Sequence, residues 1–279
     1  MGTRSGPPVT KFLAITDIHM KPPGGTIIGI DPAARLERAL DHALTRHPDA
    51  ARLILMGDQA HSGRAMEYAR IAPLLRACPV PVTVIPGNHD RRDVMVRELG
   101  LTPPEDGFLH SVWDTPSHRV ICLDTLFGPP FLDYAHFGTL CPARLAWLDR
   151  QLNQAPAPAV IVAHHPPMET GLTGMDQIRL READALAEVL SGRAVAHMFF
   201  GHIHRTISGS WQGIGYTIFK SPCHQAPLAL GVGDLSLSTD EPGAYGVVLL
   251  GAHGVTSHSE DFDLATAPFT SSADALPES

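Results

Sequence analysis

The chain has 279 residues, 44% hydrophobic and 18% charged, which is enough to bury a large core and too apolar for a disordered polymer. A formal net charge of -8 with no basic run excludes the electrostatic footprint by which duplex nucleic acids are held. There is no run of about 18 apolar residues to span a membrane. The four cysteines form no C-x-x-C pair, so neither a zinc ribbon nor a disulfide framework is indicated, and a cytoplasmic protein is expected.

After a polar lead, residues 11–16 (KFLAIT) form an apolar run that stops at Asp17, the pattern of a buried strand entering a functional loop. Residues 31–47 have helical apolar spacing, with Asp31 placed to cap the helix and Pro32 at its first position. Arg52–Met56 (RLILM) predicts a second strand, ending at Gly57 and Asp58. A helix over Ala65–Ala77 then leads to a third strand at 80–85 and the loop PGNHD. This β-α-β-α-β order predicts an α/β sheet that begins with parallel strands.

Arg119–Leu123 (RVICL) reads as another strand, followed by a loop rich in Pro, Gly and Phe over 127–138 and a helix around 143–152. Ala159–Ala163 (AVIVA) runs into His164 and His165, a helix near 181–190 follows, and 194–200 (AVAHMFF) runs into Gly201 and His202. The segments GIGYTIF and AYGVVLL are expected to be antiparallel strands finishing a second sheet. Residues 1–270 are expected to form one domain and 271–279 a disordered tail.

Five apolar strands thus end in residues that ligate metals: Asp17-x-His19, Gly57-Asp58, Gly87-Asn88-His89-Asp90, His164-His165 and Gly201-His202-x-His204. Loops beyond the carboxyl ends of strands converge on one crevice in open α/β sheets, so residues far apart in sequence meet there. Carboxylate, imidazole and amide oxygen suit divalent Mn, Fe, Zn or Co. A carboxylate can bridge two such ions about 3.5–4 Å apart, and water held between them becomes a nucleophile near neutral pH. A D-x-H pair alone would more often be a turn or cap, and GNHD alone a Gly-Asn turn; five such loops in this order point to one metal site.

In this order the motifs resemble the calcineurin-like metallophosphoesterase superfamily over about residues 11–205. ITDIHM, PGNHDRR, VAHHPP and FFGHIHR, with LDT at 123–125, RLAWLDRQL at 144–152 and CHQAPLAL from Cys223, resemble its branch of class III cyclic-nucleotide phosphodiesterases and bacterial glycerophosphodiesterases. The resemblance implies a four-layer α-β-β-α sandwich, two mixed β-sheets flanked by helices. It also implies two divalent ions. Asp17, His19 and His204 would hold the first, Asn88, His164 and His202 the second, and Asp58 would bridge them. His89 would be the acid that protonates the leaving group, beside Asn88, with Asp90 orienting its imidazole.

Asn88, His89, His165 and His224 are the candidates for touching substrate. His61 departs from the pattern, standing where relatives often carry Asp or another small polar residue. His42, His47, His110, His118, His136, His197, His253 and His258 belong to no strand-end cluster and are expected to be surface or satisfied buried histidines. The implied activity is hydrolysis of a small phosphodiester, a 3′,5′-cyclic nucleotide or a glycerophosphodiester, by a soluble enzyme that forms a homodimer. A phosphomonoesterase or nucleotide pyrophosphatase is the alternative on the same metal core. A protein-binding scaffold is disfavoured because every ligand position is filled.

Overall fold

The structure is a computed structural model that describes residues 9–102, 106–128 and 135–264. The chain opens with β1 (Thr10–Ile15), α1 (Pro32–Arg46), β2 (Arg52–Met56), α2 (Ala65–Ala77), β3 (Val82–Ile85) and α3 (Arg92–Leu99). It continues through β4 (Ser111–Asp114), β5 (Arg119–Leu123), α4 (Pro142–Asn153), β6 (Ala159–Ala163), α5 (Thr173–Asp176) and α6 (Ala183–Leu190). It closes with β7 (Val195–Phe200), β8 (Ile207–Trp211), β9 (Ile214–Ile218), β10 (Ala244–Gly251) and β11 (Gly254–Asp261).

Among the described residues these strands make two mixed sheets, ordered β11-β10-β1-β2-β3 and β4-β5-β6-β7-β9-β8. Side-chain alternation explains why they stack. In β1, Phe12 and Ala14 point to one face, where they meet Val120, Val160, Val162, Phe199 and Phe219 of the second sheet. Leu13 and Ile15 point to the other face, against Leu36, Ala39 and Ala43 of α1 and Tyr68 and Ile71 of α2. The second sheet repeats the scheme, with Ile161, Ala163, Met198 and Phe200 packed under α4 and α6. Two central sheets between two helical layers are the expected four-layer sandwich. Asp31 caps α1 as its sequence predicts, accepting a hydrogen bond from Ala33 N–H.

The C-terminal strands differ from expectation. GIGYTIF lies parallel to β7, and only its pairing with β8 is antiparallel. AYGVVLL does not enter the second sheet: β10 pairs antiparallel with β1 and closes the first. The cause is non-local, since both segments have the same alternating apolar pattern and only pairing with distant strands assigns them. Five elements have no counterpart in the sequence reading: α3, β4, β8, the one-turn α5, and β11, which completes a hairpin with β10. Tail residues 271–279 and the middle of the 127–138 loop lie outside the described residues. No helix among the described residues is long and apolar enough to cross a membrane.

Candidate dinuclear metal centre

Five strands, β1, β2, β3, β6 and β7, deliver their C-terminal loops to one place. The turns there are unusually tight. Asp17 (φ 57°), His19 (49°), Asp58 (53°), His202 (70°) and His204 (54°) all adopt left-handed backbone conformations that side chains other than Gly rarely take. Such conformations cost of order 1–3 kcal/mol each and persist where the surrounding fold imposes them. Here hydrogen bonds do so: Asp17 N–H donates to Gly57 O at 3.0 Å, His19 N–H to Asp58 O at 2.8 Å, and Ser221 Oγ to Asp17 O at 2.7 Å. Two glycines let the loops approach. A Cβ at Gly87 would lie 2.2 Å from Asp58 Oδ1, and one at Gly201 would lie 2.8 Å from Asp17 Oδ2.

The side chains so placed converge. His204 Nε2 is 3.3 Å from Asp17 Oδ1 and 2.9 Å from His19 Nε2, which is itself 3.5 Å from Asp58 Oδ2. His164 Nε2 is 3.4 Å from Asp58 Oδ2, 3.8 Å from Asp17 Oδ1 and 3.3 Å from Asn88 Oδ1. Three groups of potential ligands, Asp17–His19–His204, Asp17–Asp58–His164 and His164–His165–His202, therefore share members and form one continuous cluster.

Backbone carbonyls set the tautomers. His164 Nδ1–H donates to Met56 O, His204 Nδ1–H to His224 O, and His202 Nε2–H to Ile178 O. Each ring is thereby left with its other nitrogen as a lone-pair donor, the arrangement that metal-binding histidines use. Lone pairs and two buried carboxylates facing one another demand positive charge between them. The protonation equilibria express that demand. Burial opposes protonation of His164, but Asp58 and Asp17 outweigh it and push its pKa up to about 9. His204 is likewise raised, by Asp17 against the effect of burial. Burial would raise Asp58, yet His164 and His89 hold it well below the usual carboxylate range. His202, stripped of water by burial and facing His164, falls to about 3. Protons thus sit where cations fit, and the donor set suits divalent metal ions.

The remaining candidates line the mouth. Backbone N–H of His89 donates to Asp58 Oδ1 at 2.8 Å, and its ring Nδ1–H donates to His61 O at 2.8 Å. Asp90 does not orient that ring as expected. Its buried carboxylate accepts from Gly87, Gln59 and Ala60 N–H and from Tyr68 hydroxyl, clamping the loop after β3 to the turn after β2. His165 is buried, with Nδ1 2.7 Å from Thr125 Oγ1 and Nε2 without a partner. His224 lines the cleft. So does His136, contrary to its expected bland role: Asn88 Nδ2 donates to its Nδ1 at 3.1 Å.

Sequence reasoning also missed a support. Asp124 of the LDT segment is fully buried and accepts two hydrogen bonds from Arg92, at 2.6 and 2.8 Å, which ties α3 to the end of β5. The pairing of LDT with the Arg-Arg that follows GNHD was the available signal.

The cleft above the cluster holds about 320 Å³. Its lining combines the ligand-type side chains His19, Asp58, Asn88, His89, His202 and His204 with the apolar residues Leu172, Met175, Ile178, Val232, Leu235 and Leu237.

The sequence model of the calcineurin-like phosphoesterases matches residues 10–206, the span that contains all five loops. The chain belongs to this family. A probable cyclic nucleotide phosphodiesterase of Rhodopseudomonas palustris is 37% identical over 258 residues, covering 90% of this phosphoesterase and 92% of the relative. A probable glycerophosphodiester phosphodiesterase GpdQ of Arcobacter nitrofigilis is 30% identical, over 77% of this chain and 80% of its own. In fold the phosphoesterase is similar to a purple acid phosphatase from yellow lupin seeds, with a TM-score of 0.64 at 13% identity, over 92% of this chain and 52% of that one.

Proposed function

We propose that this protein is a dinuclear metal-dependent phosphodiesterase acting on small diesters, with a 3′,5′-cyclic nucleotide preferred to a glycerophosphodiester. The observation that carries the preference is the mixed lining of the cleft. Its ligand-type side chains suit a phosphate, and its Leu, Met, Ile and Val residues suit the flat face of a base better than a polyol. The names carried by the relatives support a diester substrate.

In this reading Asp17, His19 and His204 would hold one ion, Asn88, His164 and His202 would hold the other, and Asp58 would be shared between them, with Mn, Fe, Zn or Co as suitable ions. When bound, such ions supply Lewis acidity to the phosphoryl oxygens and acidify water between them. The chain's own residues do the rest. His89, held through Nδ1, presents Nε2 to the leaving oxygen as the proton donor. Asn88, hydrogen-bonded to His136, and His224 line the cleft and are placed to contact the phosphate, while His165, next to His164, steadies the set through Thr125. Residues 1–270 carry the activity as one domain, and the free cysteines suit a reducing cytoplasm.

Hydrolysis of bis-p-nitrophenyl phosphate and p-nitrophenyl phosphate by the Mn-loaded protein, with and without chelator, tests the reading. Faster, chelator-sensitive diester cleavage is expected, followed by a higher kcat/KM for 3′,5′-cyclic AMP than for glycerophosphocholine. Monoester preference would overturn the diester assignment, and a preference for glycerophosphocholine would overturn the role given to the apolar residues.

A further inference from the structure

His61, the departure from the family-like pattern, has no task in the mechanism above, yet its ring is well placed. Its centroid is 5.5 Å from that of His89 and 5.6 Å from that of His19. One ligating nitrogen from each of the three residues lies within 4.8 Å of the other two. Nδ1 of His61 is buried without a hydrogen-bond partner. His89 spends Nδ1 on the carbonyl of His61, which leaves Nε2 as its lone-pair nitrogen, and all three rings open on the same cleft.

We propose that His61 and His89 form an outer, inhibitory site for a borderline divalent ion such as zinc, separate from the paired ions of the centre. His19 belongs to the inner set, so the outer ion has two imidazoles of its own and completes a tetrahedron with water. Two nitrogens on such an ion stand about 3.3 Å apart at Zn–N distances of about 2.0–2.1 Å, a closure that rotation of the half-buried His61 ring provides. An ion on His89 Nε2 occupies the position from which the leaving group takes its proton. Zinc in excess of the catalytic pair therefore switches the enzyme off, and its removal restores activity. Only this inhibitory consequence rests on the role given to His89 under the proposed function; the binding site itself does not.

Equilibrium dialysis against a series of free zinc concentrations, with bound metal counted by mass spectrometry, tests the site in wild type and His61→Gln. The backbone carbonyl that holds His89 is kept in the variant. At high free zinc, wild type is expected to bind one equivalent more than His61→Gln. Equal counts across the range would overturn the site. The total bound by the variant bears on the dinuclear reading alone: two equivalents agree with it, fewer oppose it, and the difference between the proteins still reads the outer site. The consequence is read within each protein as the ratio of activity at two equivalents to activity in excess zinc, so a change in basal rate cancels. That ratio is expected to be large for wild type and near one for His61→Gln; equal ratios would overturn the inhibitory role.

Discussion

Replacing Asp90 with Asn separates two roles open to a carboxylate next to His89. Its Oδ2 accepts from Gly87 N–H at 3.0 Å and Gln59 N–H at 3.2 Å, while Oδ1 accepts from Ala60 N–H at 3.0 Å and Tyr68 hydroxyl at 2.9 Å. An amide keeps one oxygen. With its NH2 turned toward Tyr68 it strands Ala60 N–H, and the Tyr68 hydroxyl, which already accepts from Arg91 N–H, loses the acceptor for its own proton; turned the other way it strands both Gly87 and Gln59 N–H. Either orientation leaves two buried donors without an acceptor, at about 1–3 kcal/mol each, together with the charge-assisted strength of the two bonds that remain. Part of this is offset, because burial and the nearby Asp58 already push the Asp90 pKa up to about 6. A net loss of ~2 kcal/mol lowers the melting temperature of a protein this size by about 4–8 °C. The turn that carries Asp58 also loses its anchor, so metal is bound more weakly. The dependence of kcat/KM on leaving-group pKa should stay as in wild type, since Asp90 does not hold the His89 ring. Differential scanning calorimetry and a series of aryl phosphodiesters measure both. An unchanged melting temperature with a steeper leaving-group dependence would refute this reasoning and return Asp90 to the role of orienting the imidazole.

Three further outcomes are expected. Asp58→Ala removes a carboxylate shared by His19 and His164; it should abolish activity and reduce bound metal, and retention of two ions would sink the bridging assignment. His89→Ala should slow substrates with poor leaving groups most, measured across aryl diesters, and a uniform loss would count against proton donation. In chelated protein, His164 titrates at about 9 against 6.5 unperturbed. Its stabilising contribution is complete below the unfolded value and is lost as pH rises through the folded one, so metal-free melting temperature should fall between pH 7 and 10. A flat profile would refute the pairing of His164 with Asp58 and Asp17.

The fold and much of the centre could be read from the sequence because each of five apolar runs stops at a residue such as Asp17, Asp58 or His164, and a strand's end is a local signal. What escaped was non-local. His136 lies in a loop with no strand-end signature, and only the approach of Asn88 brings it to the cleft. Asp90 reads as a neighbour of His89 along the chain, but its side chain turns to Tyr68 and the turn after β2. The destination of AYGVVLL depended on which distant strand had an open edge, which periodicity does not encode.

That last pairing bears on how the chain emerges from the ribosome. Thr10 opposes Leu250 in the finished sheet, so β1 waits for the much later β10 to cover its edge. At about 5–20 residues per second the wait is on the order of ten seconds to a minute. Throughout it, Phe12 and Ala14 stand on a strand with one unsatisfied row of backbone groups, a template for pairing with another nascent copy. The strand that feeds Asp17 into the metal centre thus has its second edge covered only once most of the described chain has been made.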